Sequence, residues 1–163
     1  MAKRVTFTGQ WPKLKASEVS RFEHTVVNRK LPEDYRKFLL NHNNAEPDRN
    51  YFDSDGESTS SYLEHFLGVE TAPLTDSPRK YDIVSALLAY RSDLPRHAIP
   101  IASVDRDDLL VIFTHGEYLG EIWIKRISET FQAAGNKVKP ETGLSLVADS
   151  FTAFLNQLRS TPD

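Results

Sequence analysis

The spacing of apolar positions changes character about two-thirds of the way along the chain. Before that point the apolar residues recur mainly at helical intervals; from Ile99 onward they come in short β-branched and aromatic runs. Val19, Phe22 and Val26 fall at i, i+3 and i+7, with Glu18, Arg21 and Glu23 between them. This predicts a helix that turns one stripe inward and is capped by Ser17. The next stretch, "LPEDYRKFLLNHNN", predicts a second helix. Pro32 suits a first turn, where a missing N–H costs nothing, and Glu33 and Asp34 suit the positive end of the helix dipole. Tyr35, Phe38, Leu39 and His42 share a face, and Asn43 and Asn44 can take the left-handed backbone that ends a helix. Further on, "YDIVSALLAYR" places Ile83, Val84, Leu87, Leu88 and Tyr90 on a broad helical face.

"IPIASV", "LLVIF" and "EIWIK" then follow one another across polar turns at 105–108 and 114–120, which predicts an antiparallel meander. The segment "LSLVADSFTAFLNQL" passes from a brief apolar run into a helix with Val147, Phe151, Phe154, Leu155 and Leu158 on one side, capped by Asp149 or Ser150. Near the start, Val5 and Phe7 alternate with Thr6 and Thr8, a short edge strand ending at Gly9. Helices flanking a run of strands, without strict β-α-β alternation, predict an α+β architecture: a central, mostly antiparallel twisted sheet with helices around it.

The connections carry the polar residues. Residues 43–61, "NNAEPDRNYFDSDGESTSS", read as an exposed loop with Tyr51 and Phe52 as its adjacent apolar anchors. "HFLGVE" reads as a further short strand, and Pro73 and Pro78 bracket a second irregular connection.

At 163 residues the chain is expected to form one domain, residues 1–163, with a core of its own. The absence of cysteine excludes disulfides, thiolate metal sites and cysteine nucleophiles. A net charge of −3 supplies no global field to attract nucleic acid, so no direct nucleic-acid partner is expected. No apolar stretch has the length of a signal peptide core or a membrane span, and the expected location is cytoplasmic. Charge is uneven, however. Within 43–61, Glu46, Asp48, Asp53, Asp55 and Glu57 oppose only Arg49, a local balance of −4 that exceeds the net charge of the whole chain.

Three aspartates, Asp105, Asp107 and Asp108, precede the "LLVIF" strand. Hard divalent cations need convergent oxygens, and adjacency in sequence does not supply convergence. Neighbouring side chains in a turn that leads into a strand point to opposite faces, and Arg106 adds a positive charge, so the stretch reads as a solvated turn. In "YFDSDGESTSSY", Asp53, Asp55 and Gly56 fit positions three, five and six of a calcium loop, but Tyr51 and Tyr62 would stand at positions one and twelve, where carboxylates are required. The five histidines, His24, His42, His65, His97 and His115, show no metal-binding spacing and read as surface or helix-end residues, with His42 placed to benefit from a helix C-terminus. No serine elbow and no Gly-rich phosphate loop is present. The expected site therefore holds no catalytic residue, metal or cofactor. If Ile122 and Ile124 face the core, Trp123 lies on the other face, either covered by a helix or free for a partner.

The order of "FEHTVVNRKLPEDYRKFLLNHNNAEP", "IPIASVDRDDLLVIF", "GEIWI" and "LVADSFTAFLNQL", spanning about residues 20–158, resembles the SUKH superfamily and its SMI/KNR-type domain. That resemblance implies an α+β scaffold that binds proteins and has no catalytic centre of its own. In bacteria such domains serve mostly as immunity proteins against toxins delivered between cells, often nucleases; in fungi a related domain acts as a signalling scaffold. The chain departs from the family pattern twice. Asn43-Asn44-Ala45 stands where Asn-Gly-Gly is common, and Val104-Asp105-Arg106-Asp107-Asp108 replaces a turn that is commonly Gly-rich.

On this reading the chain is expected to be a non-enzymatic domain that binds a cognate toxin, the alternative being a regulatory scaffold without one. The residues expected to meet the partner are Tyr51, Phe52, Asp53, Asp55 and Glu57 of the acidic loop, together with Asp105, Asp107 and Asp108. Carboxylates there would oppose the basic cleft of a toxin that acts on nucleic acid.

Overall fold

The computed structural model describes residues 4–9, 11–71, 81–127 and 142–162. The predicted connection between Pro73 and Pro78 lies outside the described residues.

Six strands form one sheet in chain order: β3 (Tyr51–Phe52), β4 (Ser61–Phe66), β5 (Ala98–Val104), β6 (Asp108–Phe113), β7 (Ile122–Lys125) and β8 (Leu144–Ala148). Every neighbouring pair is antiparallel. A separate two-stranded sheet pairs β1 (Phe7–Gly9) with β2 (Ala45–Pro47), Phe7 opposite Pro47. Among the described residues the helices are α1 (Ala16–Phe22), which runs into a π-helical turn at Glu23–Val27, then α2 (Glu33–Asn41), α3 (Ile83–Tyr90) and α4 (Phe151–Gln157). The α+β class and the meander expected from the change of period are both present.

Period-two alternation sorts the strand side chains onto two faces. Leu110 and Ile112 of β6 and Ile122 and Ile124 of β7 join the larger apolar cluster, with Leu39 of α2 and Phe151 and Phe154 of α4. Leu109, Val111 and Phe113 point the other way into a second cluster with Leu94, Ala98 and the half-buried Trp123. All six residues of β6 are buried, which explains why this strand reads as an unbroken apolar run. Burying one such side chain stabilises by about 1.5–3 kcal/mol, so covering both faces makes β6 the strand on which both clusters depend.

The edges of the sheet curl toward each other. The N–H of Asp55, just past β3, donates to the carbonyl of Leu146 in β8 at 2.8 Å. Gln157 bridges the same gap: its side-chain amide donates to the Val147 carbonyl at 3.0 Å and its side-chain oxygen accepts from the Asp53 N–H at 3.3 Å. These contacts cover part of both edges, where unpaired groups would otherwise invite further strands.

Several elements differ from the sequence expectation. The helix that starts at Ala16 does not hold its stripe to Val26, which is 37% exposed, while Glu23, expected to stay wet, is buried. The π-helical turn inserts a wider loop of backbone and shifts the phase of everything after it. Glu23 then accepts from the Leu31 N–H at 2.7 Å and from Arg36 Nε at 3.1 Å. Leu88, placed on the apolar face of α3, is 71% exposed, whereas Ile83 is buried. At the chain's end, Ser150 rather than Asp149 caps α4, its hydroxyl accepting from the Ala153 N–H at 3.0 Å. The strand expected at "HFLGVE" starts and ends earlier, at Ser61–Phe66.

Residues 43–61 are the largest correction. They contain β2 and β3, and Ala45 and Phe52 are fully buried. Strands of two and three residues are too short to register as alternation. Asn44 does adopt the left-handed backbone, with φ 59°, but it and Asn43 are buried. The Asn43 side chain both accepts from the Val69 N–H at 2.8 Å and donates to the Val69 carbonyl at 3.0 Å. Gly68 faces this pair so closely that a Cβ there would lie 2.3 Å from Asn43 Oδ1 and 2.6 Å from Asn44 N.

Candidate functional site

The β3–β4 hairpin and the β5–β6 turn meet at one end of the sheet. Register opposes Tyr51 to Tyr62, and their rings pack edge to face with centroids 5.1 Å apart. Tyr62 is 41% exposed and Tyr51 half-buried, so the pair forms an aromatic step on the surface. Next to it lies the turn that follows β5. Asp105 and Arg106 both have left-handed backbone, with φ of 47° and 73°. Glycine there would incur no such strain; a residue with a Cβ costs about 1–2 kcal/mol. Neighbouring groups hold the turn in place. The Asp105 N–H donates to the Tyr62 carbonyl at 3.0 Å, and Asp105 Oδ1 accepts from the Tyr62 N–H at 2.9 Å. The Arg106 N–H donates to Glu64.

Arg126, just past β7, organises the carboxylates. Its Nη1 lies 2.8 Å from both Asp105 Oδ2 and Asp108 Oδ2, its Nε 3.3 Å from Glu57 Oε1, and its Nη2 donates to Ser61 Oγ at 3.1 Å. Asp108 uses its other oxygen to accept from the Ile127 N–H at 2.9 Å. Partial burial by itself would lower the Arg126 pKa; hydrogen bonds to Asp105 and Asp108 and the charge of Glu57 outweigh it and leave the guanidinium more firmly protonated than usual. A charge-assisted cluster of this kind fixes its members in one geometry. The cation at its centre is a side chain. Among the described residues, no group of three or more histidines and carboxylates could hold a metal ion.

A second arginine clamps the acidic loop. Arg159 reaches Asp53 in a two-pronged contact, Nη2 to Oδ1 at 2.8 Å and Nη1 to Oδ2 at 3.0 Å, and Ser60 Oγ donates to Oδ1 at 3.0 Å. The Arg159 hydrogen bond holds the Asp53 carboxyl below the ordinary carboxylate range. Backbone bonds join the same segments, Tyr51 N to Arg159 O and Arg159 N to Tyr51 O, each at 3.0 Å.

The eight residues expected to meet a partner therefore divide. Glu57, Asp105 and Asp108 converge on Arg126, and Asp53 is held by Arg159. Asp55 and Asp107 are exposed, and their carboxylates make no hydrogen bond or ion pair among the described residues. Tyr51 sits on the surface beside Tyr62. Phe52 does not: it is fully buried against Phe154, centroids 5.3 Å apart, because alternation along β3 turns it inward. Asp108 is also buried and cannot serve as a contact. Sequence reasoning missed Tyr62, Arg126 and Arg159. Tyr62 becomes visible once β3 and β4 are paired; nothing local marks the two arginines.

Exposed His24 and His97 and the helix-end His42 lie as expected, but His65 does not. His65 is buried, its ring stacked on Tyr81 at 4.1 Å and 7°, with Asn44 Oδ1 at its Nε2 and Glu46 Oε1 3.3 Å from its Nδ1. Burial and the charge of Lys13 lower the His42 pKa, which disfavours the imidazolium expected at the helix end. Trp123 lies opposite Ile122 and Ile124, half-buried between Phe113 and Tyr118, and donates from Nε1 to Glu121 at 3.0 Å.

No curated protein matches the chain. A family model, that of the SMI1 / KNR4 family (SUKH-1), matches residues 13–157, from the segment before α1 to the last residue of α4. With that match over most of its length, and with the α+β fold the resemblance implied, the chain belongs to the SMI1 / KNR4 family (SUKH-1).

Proposed function

We propose that the chain is a non-enzymatic protein-binding domain, an immunity protein that binds and neutralises a cognate toxin in the cytoplasm. The observation that carries this reading, beside family membership, is the Tyr51–Tyr62 step set among fixed and free carboxylates. Tyrosines are the kind of anchor that supplies binding energy at an interface, because each brings a large rigid ring and a polar tip. The carboxylates have a different task. Asp55 and Asp107, with the outer oxygen of Glu57, would steer a basic toxin cleft into place and speed association. Once docked, they would occupy positions that phosphates take in the toxin's substrate. The inhibitor needs no chemistry of its own. Arg126 and Arg159 lower the net negative charge of this face below what its sequence promises, but they also hold the carboxylates rigid, so little ordering entropy remains to be lost on binding.

The test is co-purification with the product of the neighbouring gene, followed by association kinetics. Tyr62→Ala is expected to speed dissociation, and the Asp55→Asn, Asp107→Asn pair to slow association and flatten its dependence on salt. A toxin bound with unchanged kinetics by all three variants would sink the proposed face. A neighbouring product that is not a toxin, yet binds through it, would move the protein to the scaffold reading.

A further inference from the structure

A second feature lies outside the acidic face. Between β1, α2 and α4 the surface opens into a cleft of about 890 Å³. Its floor is a three-ring cluster: Phe7 packs edge-on to Phe38 at 5.0 Å, and His42 lies 4.8 Å from Phe7 and 5.2 Å from Phe38. Its rim carries Arg4, Lys13, Lys37 and Arg49. The carboxylate in the lining, Asp34, is already committed: it accepts from Thr152 N at 2.9 Å, from Thr152 Oγ1 at 3.0 Å and from Tyr35 N at 2.8 Å. Of the four cations, Lys37 has a loose pairing with exposed Glu33 at 3.7 Å, and Arg49 has Asp48 nearby, whose carboxylate accepts from the Thr6 N–H at 2.9 Å. Arg4 and Lys13 make no ion pair among the described residues.

From these observations we infer that the cleft is a docking site for an acidic segment of a protein partner, with an apolar side chain seated on the ring floor and carboxylates on the basic rim. In a chain of net charge −3, four cations around one recessed apolar floor are a strong local departure. Unpaired cations at a rim attract and orient opposite charge, while the buried floor supplies the area that holds an anchor. Nucleic acid fits less well. Single strands are bound by aromatic faces on which bases stack, along grooves that follow the backbone. Here Phe38 is buried and the Phe7 and Phe38 rings meet edge to face at 74°, so the floor offers no row of parallel ring faces for successive bases, and the cations ring a compact cleft. This inference does not rest on the toxin reading, since it concerns a different surface of opposite charge.

Fluorescence anisotropy of the full chain tests it, with a fluorescein-labelled peptide of glutamates around one phenylalanine as the probe. Binding is expected at low salt and should weaken as salt rises. The same peptide with lysine for glutamate, and a labelled single-stranded oligonucleotide, are expected to bind more weakly. The double variant Arg4→Glu, Lys13→Glu reverses two exposed charges; it should keep the thermal midpoint and lose about tenfold or more in affinity, equivalent to about 1.4 kcal/mol. Arg106→Glu, on the acidic face, should leave peptide affinity unchanged. In a Trp123→Phe background, Trp11 at the cleft is the remaining tryptophan, and its emission should shift when the peptide binds. No anisotropy change with the acidic peptide, tighter binding of the oligonucleotide, or a folded double variant with unchanged affinity would each overturn the inference.

Discussion

The acidic face around Tyr62 and the basic cleft around Phe7 treat charge in opposite ways. On the acidic face, carboxylates that are dense in sequence meet arginines brought from 18 to 106 residues away, and part of the local negative charge is cancelled within the fold. In the cleft, cations scattered through the N-terminal third come together around one committed carboxylate, and their charge remains facing out. A run of like charge along the chain is thus a poor guide to the field at the surface. Four of the clustered acids became a structural rivet, and the dispersed bases became a patch that no run along the chain announces.

The largest expected effect breaks that rivet. Arg126→Ala leaves Asp108 buried without its cation, and removing one partner of a buried pair costs about 3–5 kcal/mol. Because Glu57 and Asp105 are partly exposed and rehydrate, the lower end, about 3 kcal/mol, is expected from urea unfolding. Adding Asp108→Asn to that variant should cost less than the sum of the two single changes, since both act on the same contact. Equal, additive losses would show that Arg126 does not act through Asp108.

The cleft's wall responds next. Gly68→Ala drives a Cβ into Asn43 and Asn44, where backbone as well as side chain must move, and overpacking of this kind costs about 1–3 kcal/mol. Since Asn43 lines the cleft, the loss in thermal midpoint should come with weaker acidic-peptide binding. A stability loss without any change in binding would separate the wall from the site.

Asp53→Asn removes the two-pronged contact to Arg159 on an exposed carboxylate, for which about 0.2–1 kcal/mol is the usual scale. The pH dependence has a definite sign. With its pKa depressed in the folded state, Asp53 contributes stability that is complete above the ordinary carboxylate range and is lost as pH falls through the depressed value. The variant should therefore lose stability at neutral pH and match the parent in strong acid. An effect of similar size is a gain: Arg106→Gly relieves a left-handed backbone at an exposed residue and should raise stability by about 0.5–1 kcal/mol, seen as a higher urea midpoint. A loss there would mean that the turn is held without strain.

Much of the fold was legible because it rests on repeated local signals. The meander β5–β6–β7 announced itself through short β-branched and aromatic runs between polar turns, α2 through Pro32 and its acidic first turn, and α4 through a capping serine and a phenylalanine stripe. The elements that were not legible are short or irregular. A two-residue strand carries no alternation, which is why Phe52 read as a surface anchor. A π-helical turn breaks the 3.6-residue period, which is why Glu23 and Val26 read with their environments exchanged. Of the candidate site, the acidic residues were visible and their partners were not, because an ion pair between Asp105 and Arg126 depends on two chain segments meeting, and neither segment records the other.

What the sequence determined by itself is the class of structure: hydrophobic period, capping residues and turn chemistry act over a few positions and need no knowledge of the rest of the chain. What tertiary structure alone decided is which charges face water and which face one another. Electrostatic pairing depends on distances of a few ångströms in space, and residues 57, 105, 108 and 126 acquire those distances only when the sheet curls and brings its turns to one end.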